Sequence, residues 1–169
     1  MKSSAQIAYE GLLTALSVVL LWLAAAVPAI GFGGCICAGA LPAVMLSKRK
    51  VRAGAIIYTS TMVLAFILLP NKRYAVAYAL FFGIYPFIKY AIERLNNLPL
   101  EWVCKLIYGA ITLVILYFII KLGFFMLGGR LSNQPIFILV ALFFMAFIFY
   151  DIAFSKIIAL FNVFFRYVK

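Results

Sequence analysis

Lys72, Arg73, Lys121 and Arg130, with Tyr78, Asn133 and Gln134, supply cations and neutral hydrogen-bonding groups of the kind that hold a small anionic or zwitterionic molecule. Glu10, Lys89 and Asp151 place two carboxylates and an ammonium inside otherwise apolar runs, where a charge needs a partner. Chemistry beyond binding is thinly provided. The acids are four, Glu10, Glu93, Glu101 and Asp151, and there is no histidine. No carboxylates are paired for general acid and base work, and no HExxH, GxSxG or phosphate-cradling loop ending in Lys and Ser or Thr is present. Gly31-Phe32-Gly33-Gly34 is rich in glycine but has neither the strand before it nor the pattern after it that binds a phosphate. Cys35, Cys37 and Cys104 are an odd set without histidine, so they read as small packing residues, with no disulfide framework and no zinc site. The inventory predicts a protein that is not an enzyme and carries no cofactor or metal.

The surroundings of these groups follow from composition. Of 169 residues, 68% are apolar, 17% aromatic and only 11% charged, with a mean hydropathy of +1.17. Too little polar sequence is present to cover a water-soluble core, which excludes a cytosolic globular enzyme and predicts a membrane protein. The net charge of +11 does not mark a nucleic-acid surface, because the basic residues sit at the boundaries of apolar runs. A helix needs about 20 apolar residues to cross about 30 Å of hydrocarbon. Cutting the chain at its charged, proline-containing or glycine-rich junctions gives six such segments, at about 5–27, 30–47, 53–69, 74–92, 102–127 and 136–164. The expected architecture is all-α, a polytopic bundle of six transmembrane helices in one integral membrane domain, 1–169. In the second segment Gly33, Gly34, Gly39 and Pro42 disfavour a regular helix, so a broken or re-entrant piece is an alternative there. The sixth segment is longer than a crossing needs. Lys2, the Lys48, Arg49, Lys50 and Arg52 cluster, Arg94, Arg166 and Lys169 fall on one side, against Lys72, Arg73 and Arg130 on the other, which predicts both termini in the cytoplasm.

Depth along the segments then assigns roles. At 1.5 Å per residue, Glu10 lies about 7 Å from the inner end of its segment, and Lys89 and Asp151 lie about 22 Å from the outer ends of theirs. The three heights coincide, predicting an intramembrane charge layer in which Lys89 meets Asp151, Glu10 or both; pairing of Lys89 with Glu93 along one helix, or reaching of each side chain to the interface, is the alternative. Lys121, about 28 Å from the inner end, stands with Lys72, Arg73, Arg130, Asn133 and Gln134 as an electropositive outer rim, or simply reaches for water. The hydroxyls of Tyr58, Thr59, Ser60 and Thr61 are expected to bond to backbone or neighbouring helices, or to line a ligand path. Ser4, Ala8, Gly11 and Ala15 form a small-residue face on the first segment, suited to close packing inside the bundle or against a partner helix.

The run Ile7-Ala8-Tyr9-Glu10-Gly11-Leu12-Leu13-Thr14-Ala15-Leu16, the Leu41-Pro42 stretch closing on a basic turn, and the Ala53-Gly54 that follows complete the pattern. With its size, six segments and cytoplasmic termini, the chain resembles the substrate-binding (S) subunits of energy-coupling-factor (ECF) transporters of bacteria. The stretch 40–69 also resembles a related group of bacterial membrane proteins with the same fold. The resemblance implies an S-component-like fold in the bacterial cytoplasmic membrane, with a site in the outer half for a vitamin-like micronutrient. It implies docking on a membrane-embedded coupling subunit, served by cytoplasmic ATPases in trans. There the docking motif is alanines four apart on the first helix; here Ser4 with Ala8 and Gly11 with Ala15 hold the corresponding small positions. The expected function is capture of a small anionic or zwitterionic solute for uptake. The alternative is a non-catalytic accessory or assembly protein that binds a partner helix through the same face.

Overall fold

In lipid every backbone N–H and C=O must be satisfied within the protein, and uninterrupted helices do this residue by residue. The computed structural model of the chain describes residues 4–27, 30–94, 97–121 and 136–167, and among these there is helix and no strand. The helices are α1 (Ser4–Ala26), α2 (Gly31–Ser47), α3 (Val51–Leu68), α4 (Lys72–Ala77), α5 (Tyr85–Glu93), α6 (Leu98–Lys121) and α7 (Ile136–Tyr167). A wide π turn, Tyr78–Phe82, joins α4 to α5. Among the described residues five stretches are long and apolar enough to cross a membrane, Ser4–Ala26, Val51–Leu68, Lys72–Glu93, Pro99–Ile119 and Val140–Leu160, and Gly31–Ser47 is a shorter apolar helix. The chain is therefore a helical membrane protein. Contacts divide it into two compact units, Met1–Ala91 with Ile157–Lys169, and Ile92–Lys156.

The junctions are set by local chemistry. α3 stops because Leu69, which precedes Pro70, is driven to extended backbone at ψ 132°. Asn71 then starts α4, its side chain accepting from the Arg73 N–H at 3.2 Å. α2 closes on a Schellman turn, in which Lys50 N–H reaches Met45 O at 2.9 Å and Arg49 N–H reaches Leu46 O at 2.8 Å. Arg49 adopts φ 58° there, the left-handed conformation in which glycine is usual. α6 opens four residues before the expected 102, because Pro99 suits a first helical turn, where its missing N–H has no partner to lose.

In the first unit, Leu13, Leu41, Met45, Ala53 and Ile57 of α1, α2 and α3 form a buried cluster that Tyr9 and Leu20 pack against. α2 is continuous through Pro42 rather than broken, and it is buried from Ala38 to Leu46. The glycines that disfavour a helix in water here let backbones approach. A Cβ on Gly34 would stand 2.9 Å from the Leu20 carbonyl oxygen of α1, and one on Gly39 would collide with the Phe82 carbonyl of the π turn. Pro42 brings no N–H to the Ala38 carbonyl one turn back. Ser17 of α1, fully buried, faces that oxygen at 3.5 Å and supplies a hydroxyl donor in its place.

The second unit pairs α6 with α7. Gly109 lets the Phe144 and Phe147 rings approach, the nearest ring carbon standing 3.3 Å from where its Cβ would be. Phe147 lies 6.2 Å from Tyr108 and is stacked on Phe143 at 6.5 Å, centroid to centroid.

Candidate functional site

The four successive hydroxyls of α3 divide by face. Thr59 is exposed and donates to its own helix, at Ala55 O (2.9 Å) and Ile56 O (3.2 Å). With Ser60, Val63 and Leu64 it lines a shallow depression on the outer surface of the helix. Tyr58 and Thr61 turn inward, and there they meet the π turn. Gly83 N–H donates to Tyr78 O, five residues back, at 2.7 Å. The Ala79 carbonyl, four residues back, thereby loses its helical donor. Tyr58 replaces it, its hydroxyl donating to Ala79 O at 2.7 Å from the neighbouring helix. The Tyr58 ring lies 5.9 Å from that of Tyr78 and 5.8 Å from that of Phe87. This packing requires Gly83, where a Cβ would stand 2.7 Å from the Tyr58 ring. Phe in place of Tyr58 keeps the ring but strands the Ala79 carbonyl. Tyr58→Phe is expected to cost about 1–3 kcal/mol, read as a fall of roughly 2–10 °C in the thermal midpoint of the purified protein; an unchanged midpoint would show that lipid-side water already serves that oxygen.

Tyr78, expected at a ligand rim, is instead fully buried beneath this clamp. The Thr61 hydroxyl lies within hydrogen-bonding reach of the Tyr78 hydroxyl, with Tyr58 and Cys35 near it. Yet neither Tyr78 Oη nor Thr61 Oγ1, both on fully buried residues, has a hydrogen-bond partner in good geometry.

The remaining rim residues are spread along the chain. Lys72 is exposed and spends its ammonium on α3, donating to Phe66 O (2.5 Å) and Ile67 O (3.4 Å), so it caps the preceding helix at the end where the dipole favours a cation. Arg73 is exposed. Lys121 is the last residue of α6 and its side chain, like Arg130, Asn133 and Gln134 as a whole, lies outside the described residues.

The intramembrane charges are all buried. Glu10, at 5% exposure, accepts from Gln6 Nε2 at 3.1 Å within the first unit, where Lys89 is buried at 3%. Asp151 belongs to the second unit, and its Oδ2 receives the ammonium of Lys105 at 2.8 Å. Lys105 also stands 5.5 Å from the Trp102 ring, as a cation over a π face. Sequence reasoning missed Lys105. Among the described residues no group of three or more His, Cys, Asp or Glu is gathered as metal ligands.

α1 presents two unlike faces. Glu10, Leu13, Thr14, Ser17, Leu21 and Ala24 are buried. Ser4, Ala8, Gly11 and Ala15 are exposed, and a Cβ on Gly11 would meet nothing within 4 Å. Ile7, Leu12, Leu16, Val19 and Trp22, also exposed, surround that face with large apolar side chains. No family model, no curated protein and no solved structure matches the chain.

Proposed function

We propose that the protein is a non-catalytic binding subunit of a membrane uptake system, resembling the S subunits of ECF transporters. It captures a small anionic or zwitterionic solute of vitamin-like size at its outer side and docks through α1 on a membrane-embedded coupling subunit. The energy comes from cytoplasmic ATPases in trans. The site is the bacterial cytoplasmic membrane, with both termini inside, in keeping with the basic turn at Lys48, Arg49, Lys50 and Arg52.

The observation that carries this reading is the division of α1. Glu10, Leu13, Thr14, Ser17, Leu21 and Ala24 build the interior, while Ser4, Ala8, Gly11 and Ala15 are left uncovered, the small-residue surface a second helix needs for backbone-to-backbone approach. The solute side rests on the outer cations and on the family resemblance. A second reading, an accessory or assembly protein that docks by the same face and takes no solute, is favoured by Lys72 being engaged as a helix cap and Tyr78 being buried.

Leucine at Gly11 fills the gap without touching the interior. Gly11→Leu is expected to leave the thermal midpoint of the isolated protein within the range of a surface change, about 0.5 kcal/mol. Recovery of a co-expressed coupling subunit in a tagged pull-down should fall about tenfold or more, equivalent to about 1.4 kcal/mol of binding. Undiminished recovery rejects docking through this face. Separately, a thermal-shift panel of vitamins and their precursors is expected to give one stabilising solute; docking without any such solute transfers support to the accessory reading.

A further inference from the structure

α3 runs 18 residues, Val51–Leu68, about 27 Å at 1.5 Å per residue, which matches the roughly 30 Å of hydrocarbon that a crossing helix must cover. Its first residue therefore lies at the depth of the lipid headgroups, and so does the turn that leads into it. That turn carries Lys48, Arg49, Lys50 and Arg52, all exposed. α3 has no acidic residue in its first turn to answer them. Among the described residues the side chains of Arg49, Lys50 and Arg52 have no hydrogen-bond or ion-pair partner. We propose that this turn binds the phosphate headgroup of an anionic phospholipid of the surrounding bilayer, with Arg49, Lys50 and Arg52 as the cations that hold it.

The backbone under these cations is fixed before any lipid arrives. The bonds from Lys50 N–H to Met45 O at 2.9 Å and from Arg49 N–H to Leu46 O at 2.8 Å lock the turn. Gly54 seats the first turn of α3 against α2, where a Cβ would stand 3.2 Å from the Pro42 carbonyl oxygen and collide with the Leu46 side chain. Lys48 is tied back to α1, its ammonium 5.6 Å from the centre of the Tyr9 ring. The cations at 49, 50 and 52 remain for a ligand, on long stems that let their charged ends reach the phosphates. Arg49 separates binding from mere chain reversal. Its φ of 58° is a conformation that glycine adopts without strain and a long side chain does not. A turn that only reverses the chain is better served by glycine. A turn that binds an anion gains from arginine, whose guanidinium donates two parallel hydrogen bonds to a phosphate. A zwitterionic headgroup brings its own cation beside its phosphate and an anionic one does not, so cations without acids select the anionic lipid. This assignment does not depend on what docks against α1.

The test titrates phosphatidylglycerol and, separately, phosphatidylcholine into the full chain in detergent and counts bound lipid by native mass spectrometry. Arg49→Gly, Lys50→Gln and Arg52→Gln are each expected to weaken phosphatidylglycerol retention roughly fivefold, and the triple variant roughly a hundredfold, with phosphatidylcholine little changed. Arg49→Gly also keeps folding apart from binding. Relief of the left-handed strain should hold or raise its thermal midpoint in phosphatidylcholine while the anionic lipid is lost. Arg94→Gln removes an exposed cation just past α5 and is the charge-matched control; it should change retention less than about twofold. A loss there equal to that of the turn variants means that net charge alone attracts the lipid, and overturns the site. Undiminished retention in the triple variant overturns it too. So does equal retention of the two lipids by the unsubstituted protein, which leaves the turn to an acidic protein surface instead.

Discussion

Replacing Asp151 with asparagine is expected to destabilise the protein by about 3–5 kcal/mol, the cost of leaving one member of a buried ion pair without its counter-charge. The side chains of Lys105 and Asp151 are only 9% and 6% exposed and meet at 2.8 Å. Asparagine keeps the shape and one acceptor oxygen, so the loss isolates the charge rather than the packing. Lys105 has a π face at Trp102 to lean on, but cation–π attraction contributes only about 0.5–2 kcal/mol and does not replace a carboxylate. Lys105→Met should therefore cost a similar amount through the stranded Asp151. The informative variant is the pair. Because removing both charges also removes both desolvation costs, Lys105→Leu with Asp151→Leu should recover most of the loss and can exceed the parent. Unfolding in mixed micelles by increasing denaturing detergent reads all three, and additive losses in the double variant would mean that the two charges do not hold each other.

The route by which sequence reasoning missed this pair shows what a linear reading of a membrane protein contains. Apolar run length and proline positions located the helices, because hydrocarbon thickness and backbone satisfaction leave few other options. Depth placed Glu10, Lys89 and Asp151 inside the membrane, and all three are buried. A helix that begins at Trp102 puts Lys105 one turn from its end. With Pro99 in the first turn of the helix, the same lysine moves a turn deeper and becomes a charge that needs a partner. Depth gives height and says nothing about azimuth. Which neighbour a side chain faces depends on helix rotation, and so the pairing of Ser17 with the carbonyl above Pro42 was not visible, although proline inside an apolar helix is itself a signal that some hydroxyl nearby must serve that oxygen. The π turn is less legible still. Tyr78–Phe82 has nothing in its own composition against a regular α-helix, and the widening depends on Tyr58 and Gly83 meeting across two helices. The small-residue face of α1 was readable as a pattern; only the structure shows it uncovered.

Gly39 provides the sharpest test of how closely α2 approaches the π turn. A Cβ built there collides with the Phe82 carbonyl oxygen and stands 3.0 Å from the carbonyl carbon, so the neighbour that must yield is backbone, not the end of a flexible side chain. That backbone has little freedom, since the turn on one side of it is held by the Gly83-to-Tyr78 bond and by Tyr58. Gly39→Ala is expected to cost about 1–3 kcal/mol by overpacking, outweighing the gain in helix propensity of about 1 kcal/mol that alanine brings. Gly39→Leu should cost more and lower the yield of folded protein. Gly33 supplies the control on the same helix, because a Cβ there meets nothing within 4 Å. Gly33→Ala should leave the thermal midpoint unchanged or raise it. The conflict at Gly39 is with a main-chain oxygen, so adding Phe82→Ala to Gly39→Ala should fail to restore stability. Restoration by Phe82→Ala would show that the ring, rather than the carbonyl, is what α2 presses against. A neutral Gly39→Ala would show that α2 and the π turn stand apart, and the fastening of that turn against α3 would then have to be explained without the support of α2 behind it.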